Sequence, residues 1–550
     1  MGWGVFLACW AVAAAIALAL GRDANWDIRN YHLYNPYALL EGRWGLDLAP
    51  AGLHSFLHPG LDIPFYLLTR SPLNAWPRVV STLQAGYLGL LIFLTLAVAN
   101  LACHGNARRA TGESMLTAAF GLTGAATLPQ AGATFNDVPV ACLVVGALLA
   151  LLVAAGCGIP AGRAVLQKPR AARLWFLSGA LGGVAVGLKL TAIVYAPALA
   201  GAAIFAARGT YVSPARAVAI LAVGGALGFI VSFGPWGWFL YEQFGNPFGP
   251  YFNDLFHSSW FPPVRQSDPR FLPNSIAQAL AYPLLWVRPS VGVVTEETMA
   301  DPRFALGIAG TLLTLGAVSL RRLLRDRDQV RIGSTAEQAA VRATQVVLAF
   351  IFLAYAAWLG AFAILRYAVA IEVLLGIAVR TTARMLLALP WTGTVLAAGQ
   401  RCGAVVCVGA LLFLCTLATT YPRWPRQPFH WEQEPRGAAS VAVTPVALPE
   451  GSLVVMLWGA VSFVAPFVQG PGVRFVGAAH PVWAGSRKYL YAAKVQHLVR
   501  LHRGPGFVLL EEPDNFNREL AQSLGVEFDP ASCRAVPNNL TTLVHICRWQ

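Results

Sequence analysis

The segment between residues 21 and 43 places acids and arginines next to a long apolar run. Asp23 and Asp27 are carboxylates, and a carboxylate can act as a general base that takes a proton from a hydroxyl or an amine. Arg22 and Arg29 can hold phosphate oxygens through paired hydrogen bonds. These residue types therefore suit the removal of a proton from an acceptor next to a bound phosphate.

The same segment is rich in rings, among them Tyr31 and His32. Flat ring faces suit sugars, so both residues are candidates for contact with a substrate. The alternative is an amphipathic helix at the membrane surface, in which the rings form an aromatic belt and the acids are only solvated. The residue types leave both interpretations open.

A second part of this stretch holds His54, His58 and Asp62, each four residues after the one before. On one face of a helix this spacing can bind a metal. Pro59 and Gly60 interrupt that helix, so a polar loop packed over a cavity is the stronger interpretation, with His58 next to the substrate. The sequence leaves the need for a divalent metal open.

Ionisable residues are rare within the long apolar runs, where each costs about 3 kcal/mol unless it faces protein or water. Asp137, Lys189 and Arg366 stand out at the ends of such runs, and Glu372 lies about two helical turns deeper than Arg366. Taken singly, each has an alternative interpretation as a snorkelling cation or a helix cap. Taken together, they are candidate functional residues.

The composition decides which class of protein must position these residues. Of the 550 residues, 56% are hydrophobic and 12% are charged, and the mean hydropathy is +0.56. Soluble domains are about a quarter charged. Disordered chains, secreted disulfide scaffolds and coiled coils are therefore excluded, and the chain is predicted to be an all-α polytopic membrane protein.

The excess of basic residues is an orientation signal. Lys and Arg number 40 against 26 acids, which gives a formal net charge of +14. A basic balance is also typical of nucleic-acid-binding proteins, but here the cations collect in short loops between apolar runs, as they do on the cytoplasmic side of membrane proteins. Nucleic acid is therefore not an expected partner. The cations in these loops are Arg108, Arg109, Arg163, Lys168, Arg170, Arg173, Arg321, Arg322, Arg325, Arg327 and Arg331.

Apolar stretches of roughly 20 residues predict about 11 transmembrane helices. The predicted spans are residues 3–20, 79–101, 114–131, 138–157, 173–187, 189–207, 216–240, 304–320, 343–365, 367–380 and 401–419. With the N-terminus inside, every basic loop is cytoplasmic, and residues 21–78, 241–303 and the tail from about 421 lie outside. A twelfth crossing by residues 385–399 would move the tail inside, but arginines at both its ends favour keeping those ends inside.

This topology brings Asp27, Asp137, Lys189 and Arg366 to the outer leaflet. Two acids and two cations at one depth suit a lipid-linked phosphate together with a nucleophile that must lose its proton. The four residues therefore form the predicted site.

The sequence divides into a transmembrane domain over residues 1–420 and a small C-terminal α/β domain over residues 421–550, predicted to be periplasmic. Cys533 and Cys547 can form a disulfide there if the tail lies outside the cytoplasm. The tail is predicted to have strands at residues 452–458, 474–478, 507–511 and 543–548 and a helix at residues 515–524. An accessory or substrate-docking role is expected for it.

Short motifs follow one another in order through residues 1–420. They are Asp27 with Tyr31 and Leu39-Leu40-Glu41-Gly42-Arg43, His58-Pro59-Gly60-Leu61, Asn136-Asp137-Val138-Pro139, Gly187-Leu188-Lys189-Leu190-Thr191, Gly245-Asn246-Pro247-Phe248 with Tyr251-Phe252-Asn253, and Arg366-Tyr367. In order and sidedness they resemble the GT-C superfamily of polytopic glycosyltransferases. This superfamily includes protein mannosyltransferases, lipid A aminoarabinose transferases and a further bacterial branch that the chain resembles more closely.

The resemblance implies inverting transfer of a sugar from a polyprenyl-phosphate donor to a lipid, glycan or protein acceptor. The reaction would take place at the outer face of a bacterial inner membrane. Asp27 would be the catalytic base, and Asp137 would be a second acid near the acceptor or a metal. Lys189 and Arg366 would bind the phosphate of the donor.

The sequence departs from the family in one respect. The family often has adjacent acids in the first outer loop, whereas Ile28 follows Asp27 and the second acid, Asp23, lies four residues earlier. On a helix that spacing places both acids on one face. The choice of base between Asp23 and Asp27 therefore stays open.

Two other functions are compatible with a polytopic chain. A transporter or lipid flippase would line its pathway with the same charges, but no repeat relates the two halves of the sequence, and most candidate polar residues lie in outer loops. A non-catalytic envelope-assembly protein with the same fold would tolerate replacement of the acids.

Overall fold

The computed structural model describes most of the chain. The described residues are 2–106, 110–158, 168–208, 210, 212–323, 334–388, 397–429, 439–478, 489–541 and 544–549. Residues 389–396 of the alternative twelfth span, Leu543 of the last predicted strand and several arginines of the basic loops lie outside them. These arginines are Arg108, Arg109, Arg163, Arg325, Arg327 and Arg331.

Within the described residues, eight helices are long and apolar enough to cross a membrane, and each matches a predicted span. They are Trp3–Leu20, Pro77–His104, Asp137–Ala154, Arg170–Leu188, Leu190–Ala207, Pro214–Phe244, Arg303–Leu320 and Thr335–Ala361. The other predicted spans correspond to helices that fall short of this length or apolarity there, namely Gly112–Leu122, Leu375–Leu387 and Ala397–Ala418. The chain is a multi-pass membrane protein.

The α-helices are, in chain order, α1 (Trp3–Leu20), α2 (Tyr34–Leu40), α3 (Ile63–Arg70), α4 (Pro77–Gln84), α5 (Gly86–His104), α6 (Gly112–Leu122), α7 (Asp137–Ala154), α8 (Lys168–Leu188), α9 (Tyr195–Ala207), α10 (Pro214–Phe244), α11 (Asn253–Phe256), α12 (Ile276–Ala281), α13 (Arg303–Leu323), α14 (Thr335–Ala361), α15 (Val369–Glu372), α16 (Leu375–Leu387), α17 (Ala397–Ala418), α18 (Leu490–Leu501) and α19 (Asn515–Ser523). The strands are β1 (Arg22–Asp23), β2 (Arg426–Gln427), β3 (Val446–Ala447), β4 (Leu453–Met456), β5 (Val468–Gln469), β6 (Arg474–Gly477), β7 (Gly506–Leu510), β8 (Arg534–Ala535) and β9 (His545–Arg548).

The loop over residues 21–78, called the first outer loop after its predicted side, folds as a chain of short turns and short helices. A π turn over Ile28–His32 follows Asp27, and α2 follows the π turn. Asp23, Asp27, Tyr31 and His32 are all buried. The alternative of an interfacial helix with solvated acids is therefore wrong for this loop.

The region after α17 contains a five-stranded sheet with the strand order β6-β4-β7-β9-β8. Strands β6, β4 and β7 are parallel, and β9 runs antiparallel to β7 and to β8. The side chains of Leu453–Met456 in β4 are all buried, as expected for a central parallel strand. The four predicted strands and the predicted helix of this region are confirmed as β4, β6, β7, β9 and α19, whereas α18 was not predicted.

The first outer loop extends this sheet. Leu48 pairs in parallel with Val476 on the outer edge of β6. The N–H of Leu48 donates to the carbonyl of Phe475 at 2.9 Å, and the N–H of Gly477 donates to the carbonyl of Leu48 at 2.8 Å. Gly477 permits this approach because a Cβ there would overlap the carbonyl oxygen of Ala49. The loop thus covers an edge that would otherwise present unpaired backbone groups.

Two further contacts join the same loop to the chain after α17. Strand β1 pairs antiparallel with β2. The side-chain amide of Asn74 donates to the carbonyl of Val441 and accepts from its N–H, both at 3.0 Å. The loop over residues 21–78 and the region after residue 421 therefore lie at the same end of the helix bundle.

The sheet shares its two cores with the rest of the protein. Val454 of β4 belongs to a cluster with Ile28 and Tyr34 of the first outer loop. Its neighbour Val455, on the opposite face, belongs to a cluster with Trp236 of α10. Each fully buried apolar side chain contributes about 1.5–3 kcal/mol, so the C-terminal region and the outer loop stabilise each other.

Glu372, which the sequence singled out, stabilises the backbone beside the site. Its carboxylate accepts hydrogen bonds from the N–H groups of Ala126 and Thr127 at 2.9 and 2.8 Å. The fully buried ion pair of Asp301 and Arg303 lies nearby, and Asp301 also accepts from the backbone of this segment. These acids replace the partners that a turn inside an apolar bundle lacks, so Glu372 has a structural role.

Cys533 and Cys547 form a disulfide that joins β9 to the residue before β8. A disulfide that closes a loop of this length is worth about 3 kcal/mol. We expect the double variant Cys533→Ala/Cys547→Ala to lower the opening free energy of β7 and β9 by about this amount, as measured by amide hydrogen exchange on the full chain in detergent. The control is Cys402→Ala/Cys407→Ala, which removes two unpaired cysteines from α17. Equal exchange in both variants would contradict the prediction.

Candidate active site

Asp27 forms an ion pair with Arg366 across 339 positions of sequence. Nη1 of Arg366 donates to Oδ2 of Asp27 at 2.7 Å. The side chain of Asp27 is 9% exposed and that of Arg366 is 24% exposed. The pair is thus largely shielded from water. A charge–charge contact is stronger in such a shielded position than at an open surface.

A second ion pair touches the first. Nζ of Lys189 lies 2.5 Å from Oδ1 of Asp137, and Nη1 of Arg366 lies 3.9 Å from Oδ2 of the same Asp137. The structure therefore brings all four predicted site residues into one connected group. Two carboxylates and two cations balance to a net charge of zero.

Helix ends position these four residues. α7 begins at Asp137, α8 ends immediately before Lys189, and Arg366 lies in the 3₁₀ turn Leu365–Ala368 that follows α14. The first turn of a helix favours a carboxylate, because its free N–H groups carry partial positive charge. Asp27 lies beyond α1 and β1, directly before the π turn Ile28–His32, so it reaches these three helix ends from the loop.

Aromatic rings hold the two cations from a second side. The guanidinium carbon of Arg366 lies 4.6 Å from the centre of the Phe135 ring, and Nζ of Lys189 lies 4.9 Å from the centre of the Tyr367 ring. Both distances suit cation–π contact. The hydroxyl of Tyr195 donates to the backbone carbonyl of Tyr367 at 2.5 Å, and this hydrogen bond holds the backbone of Tyr367 in place.

A small cavity lies between the second ion pair and the helices. Its polar wall is formed by Asp137, Lys189 and Arg366, and its apolar wall includes Val140 and Val369. The cavity has a volume of only about 10 Å³, room for about one water molecule, so a phosphate can reach these cations only where the ion pairs separate.

A roomier cavity of about 550 Å³ lies against the second half of α1. Arg426 is the one charged residue among those that line it, and the Arg426 guanidinium already donates to the carbonyls of Gly21, Pro129 and Ala131. The smaller cavity is therefore the better candidate for chemistry.

The electrostatic surroundings keep Asp27 ionised. Burial alone would raise its pKa, but the charge of Arg366, and then those of His32 and His54, outweigh burial and lower the pKa to about 2. An Asp27 carboxylate that is held this firmly by Arg366 is a weak base. It becomes a stronger base once Arg366 moves to another anion, because the effect of burial then dominates.

Asp23 does not share a helical face with Asp27, contrary to the prediction. It lies in β1, and its Oδ2 accepts from the N–H and the hydroxyl of Thr134 at 2.7 and 2.8 Å. Its Oδ1 accepts from the N–H and the side-chain amide of Asn25. Pairing with β2 keeps the backbone extended at Asp23, so Asp23 and Asp27 do not lie on one helix. The hydrogen bonds of Asp23 to Thr134 hold the segment before α7 in place.

Arg22 and Arg29 face the region after α17 instead of the ion pairs. Nη1 of Arg22 donates to the carbonyl of Ala439 at 2.8 Å. Nη1 of Arg29 lies 3.5 Å from Oε1 of Glu511 at the end of β7. The phosphate-binding expectation for these two arginines is therefore not supported by their positions.

Tyr31 and His32 lie inside the first outer loop. The Tyr31 ring stacks on the ring of His54 at 5.2 Å between centres and meets the ring of His32 edge-on at 4.3 Å. Trp26 adds an edge contact with His54 at 4.9 Å and is partly exposed. These rings thus form a connected series from the partly exposed Trp26 to the buried His32.

The histidines do not form a metal site with Asp62. Residues 52–62 form two short 3₁₀ turns, and Nδ1 of His58 accepts from the N–H of Gly60 at 3.0 Å. Throughout the described ranges, no three His, Cys, Asp or Glu residues are placed to hold a metal ion. Asp27 and Asp137 each already hold a cationic side chain, so the residues present do not fit a resident metal.

Sequence reasoning missed the link between Asp62 and the site. The side-chain amide of Asn136 donates to Oδ1 of Asp62 at 2.9 Å, directly before Asp137. Asn136 belongs to the motif that opens α7, and its amide could have signalled a buried acceptor. Asp62 was considered only as a metal ligand.

No family model and no curated protein sequence matches the chain. Among solved structures, the chain is similar to ArnT from Cupriavidus metallidurans bound to undecaprenyl phosphate, with 13% identity, a TM-score of 0.49 and coverage of 100% of this chain and 98% of that chain. It is also similar to the Archaeoglobus fulgidus oligosaccharyltransferase in the apo form, with 15% identity, a TM-score of 0.46 and coverage of 92% of this chain and 69% of that chain.

Proposed function

We propose that the chain is an inverting glycosyltransferase of a bacterial inner membrane. It would move a sugar from a polyprenyl-phosphate donor to a lipid, glycan or protein acceptor at the outer face. The observation that carries the proposal is the contact of a buried carboxylate, Asp27, with Arg366 at 2.7 Å, next to the pair of Asp137 and Lys189. The donor class is inferred from the resemblance of the motifs.

In this reaction Asp27 takes the proton from the acceptor's hydroxyl or amine. The acceptor atom then bonds to the anomeric carbon from the face opposite the phosphate, and the bond from that carbon to the phosphate oxygen breaks. Arg366 and Lys189 stabilise the negative charge that develops on the departing lipid phosphate. Asp137 keeps Lys189 in position and is a candidate contact for the acceptor.

The ion pairs give the two substrates an order. Without substrate, Arg366 is held by Asp27 and Lys189 by Asp137. A phosphate competes for the same cations, because it offers more acceptor oxygens and more negative charge than one carboxylate. Donor binding therefore frees Asp27 to act as a base, and the acceptor is deprotonated only when a sugar is in place.

The placement at an outer face is supported by the C-terminal region. The disulfide of Cys533 and Cys547 is of a kind that persists in an oxidising compartment. This region contacts the loop that carries Asp27. Both would therefore face the periplasm.

The test uses the full chain reconstituted in sealed vesicles with a radiolabelled polyprenyl-phosphate sugar and a mixture of candidate acceptors. We expect a labelled product that is not a polyprenyl phosphate, together with release of the lipid phosphate. Flux of a solute or lipid without any such product would indicate a transporter or flippase. Neither product nor flux would favour a non-catalytic envelope-assembly protein.

A further inference from the structure

His32 is the last residue of the π turn Ile28–His32, which starts directly after Asp27. A π turn closes with i→i+5 hydrogen bonds, so residues five apart, such as Asp27 and His32, come to the same side of the turn. On a regular α-helix the same spacing would place them on different faces. Turns of this kind occur frequently at functional sites.

The imidazole of His32 is buried with open hydrogen-bonding capacity. The residue is 1% exposed, and neither ring nitrogen has a hydrogen-bond partner among the described residues. A buried polar group without a partner typically costs about 1–3 kcal/mol. A phenylalanine or leucine would avoid that cost if His32 only filled space, so the position indicates a use for the ring nitrogens.

A carboxyl group lies beside this imidazole. Oδ1 of Asp62 is 3.8 Å from Nδ1 of His32 and accepts from the amide of Asn136. Oδ2 of Asp62 is buried and has no hydrogen-bond partner in the described part of the chain. A movement of less than 1 Å would therefore join Asp62 and His32 by a hydrogen bond.

The surroundings set the resting protonation states. Burial lowers the pKa of His32 to about 4, while Asp27 and Asp137 raise it and Lys189 and Arg366 lower it further. The imidazole is therefore neutral at neutral pH. Burial raises the pKa of Asp62 well above its ordinary value, and the charge of Asp27 adds to this effect.

We propose that His32 receives the proton that Asp27 takes from the acceptor, and that Asp62 accepts a hydrogen bond from the imidazolium that results. This inference rests on the proposed function and names the next step for the proton. It makes His32 and Asp62 part of the proton path behind the base.

The acceptor's O–H or N–H bond breaks as its oxygen or nitrogen bonds to the anomeric carbon, and the bond from that carbon to the phosphate oxygen breaks with its electron pair. The proton passes to a carboxylate oxygen of Asp27 and from there, through a water molecule, to an open ring nitrogen of His32, because the two side chains are not in contact in the resting structure. When the products leave, the proton returns through Asp27 to water, which restores both groups.

The charges at the site change when the donor binds. In the resting protein the pKa of Asp27 is about 2 and that of His32 is about 4, because Arg366 keeps Asp27 ionised and burial keeps His32 neutral. Lys189 and Arg366 oppose a charge on His32 in the resting protein. A donor phosphate neutralises both cations and thereby makes protonation of His32 easier in the complex that needs it.

The experiment compares wild-type protein, His32→Gln and His32→Ala in the vesicle transfer assay over a range of pH. Glutamine can form hydrogen bonds but cannot accept a proton at these pH values. We expect kcat of His32→Gln to fall about 100-fold, the lower end of what a proton-transfer group contributes. Binding of a polyprenyl phosphate without sugar is expected to stay unchanged. Added imidazole is expected to raise kcat of His32→Ala about 10-fold or more and to leave wild type unaffected.

The results distinguish a proton path through His32 from a purely structural role of His32. Rescue by imidazole that follows the fraction of neutral imidazole across pH would support the proton path, because a structural role of His32 would not depend on that fraction. Full kcat in His32→Gln, or a loss in His32→Ala that imidazole does not restore, would overturn it. A wild-type protein that transfers no sugar would overturn the proposed function and the proton path together, whereas an active wild type with an unimpaired His32→Gln overturns the proton path alone.

Discussion

Replacement of Asp27 by asparagine is expected to lower kcat for sugar transfer by about 1000-fold, within the range that a general base contributes. Asparagine has the shape of aspartate and can still accept a hydrogen bond from Arg366, but it cannot take a proton from the acceptor. Affinity for a polyprenyl phosphate is expected to stay the same or to rise, because Asp27 no longer competes with the phosphate for Arg366. Transfer and lipid-phosphate binding, measured on the same vesicles, check both parts.

The matched control for this variant is Asp268→Asn. Asp268 lies in the outer loop over residues 241–303 and forms a solvent-exposed pair with Arg270. The substitution removes one negative charge from this exposed loop and leaves the ion pairs of Asp27 with Arg366 and of Asp137 with Lys189 unchanged. Turnover of Asp27→Asn at the level of this control would reject Asp27 as the base.

Replacement of Arg366 by glutamine is expected to lower kcat/KM by about 100- to 1000-fold, as the loss of a donor to a developing anion does. Part of the loss is weaker binding of the donor phosphate. The rest comes from Asp27, whose pKa is held at about 2 by Arg366 against the opposing effect of burial. Without the guanidinium, burial raises the pKa of Asp27, so a larger fraction of the base is protonated at a given pH.

The pH profile separates these two effects. The value of kcat/KM reports the protein before the donor binds, so wild-type kcat/KM should not fall through loss of the Asp27 carboxylate until the pH falls toward 2. In Arg366→Gln the acid limb of kcat/KM should move to higher pH, and kcat/KM should rise as the pH is raised through the new pKa. Arg270→Gln removes an exposed cation from the loop over residues 241–303 and serves as the control. An acid limb of Arg366→Gln that coincides with that of the control would contradict the coupling of Arg366 to Asp27.

Much of the fold is predictable because it depends on local composition. A stretch of about 20 apolar residues predicts a span wherever it occurs, and eight such helices are present among the described residues. The tail strands are equally local, since β4 reads as an unbroken apolar run. The span predicted for α6 is longer than the helix, because apolar residues of the turn after Leu122 resemble a continuation of it. The span predicted at 367–380 covers the short turns before α16 and only the first half of that helix.

The candidate site was predictable for a different reason. Ionisable residues in apolar runs are expensive, so Asp137, Lys189 and Arg366 were conspicuous, and the alternation of the spans placed them with Asp27. The part that could not be predicted depends on distant partners. Asp23 is held by Thr134, 111 positions away, and Asp47 accepts from the N–H of Phe475, 428 positions away.

The π turn was unpredictable in physical terms as well. The residues from Ile28 to His32 have no composition that distinguishes a π turn from an α-helix. The turn is held from outside, by the contact of the Ser462 hydroxyl with the carbonyl of Asn30 and by the apolar cluster that joins Ile28 to the sheet. The relation of Asp27 to His32 therefore follows from tertiary packing.

The pairing of the first outer loop with the last part of the chain also sets the timing of biogenesis. Arg22 and its partner Ala439 are 417 positions apart, so at about 5–20 residues per second the loop leaves the ribosome tens of seconds before its partners do. During this interval the segment with Asp27 and His32 has no sheet to join. A chain that has emerged only as far as α17 therefore lacks the partners that hold Arg22 and the loop around Asp27 and His32 in place.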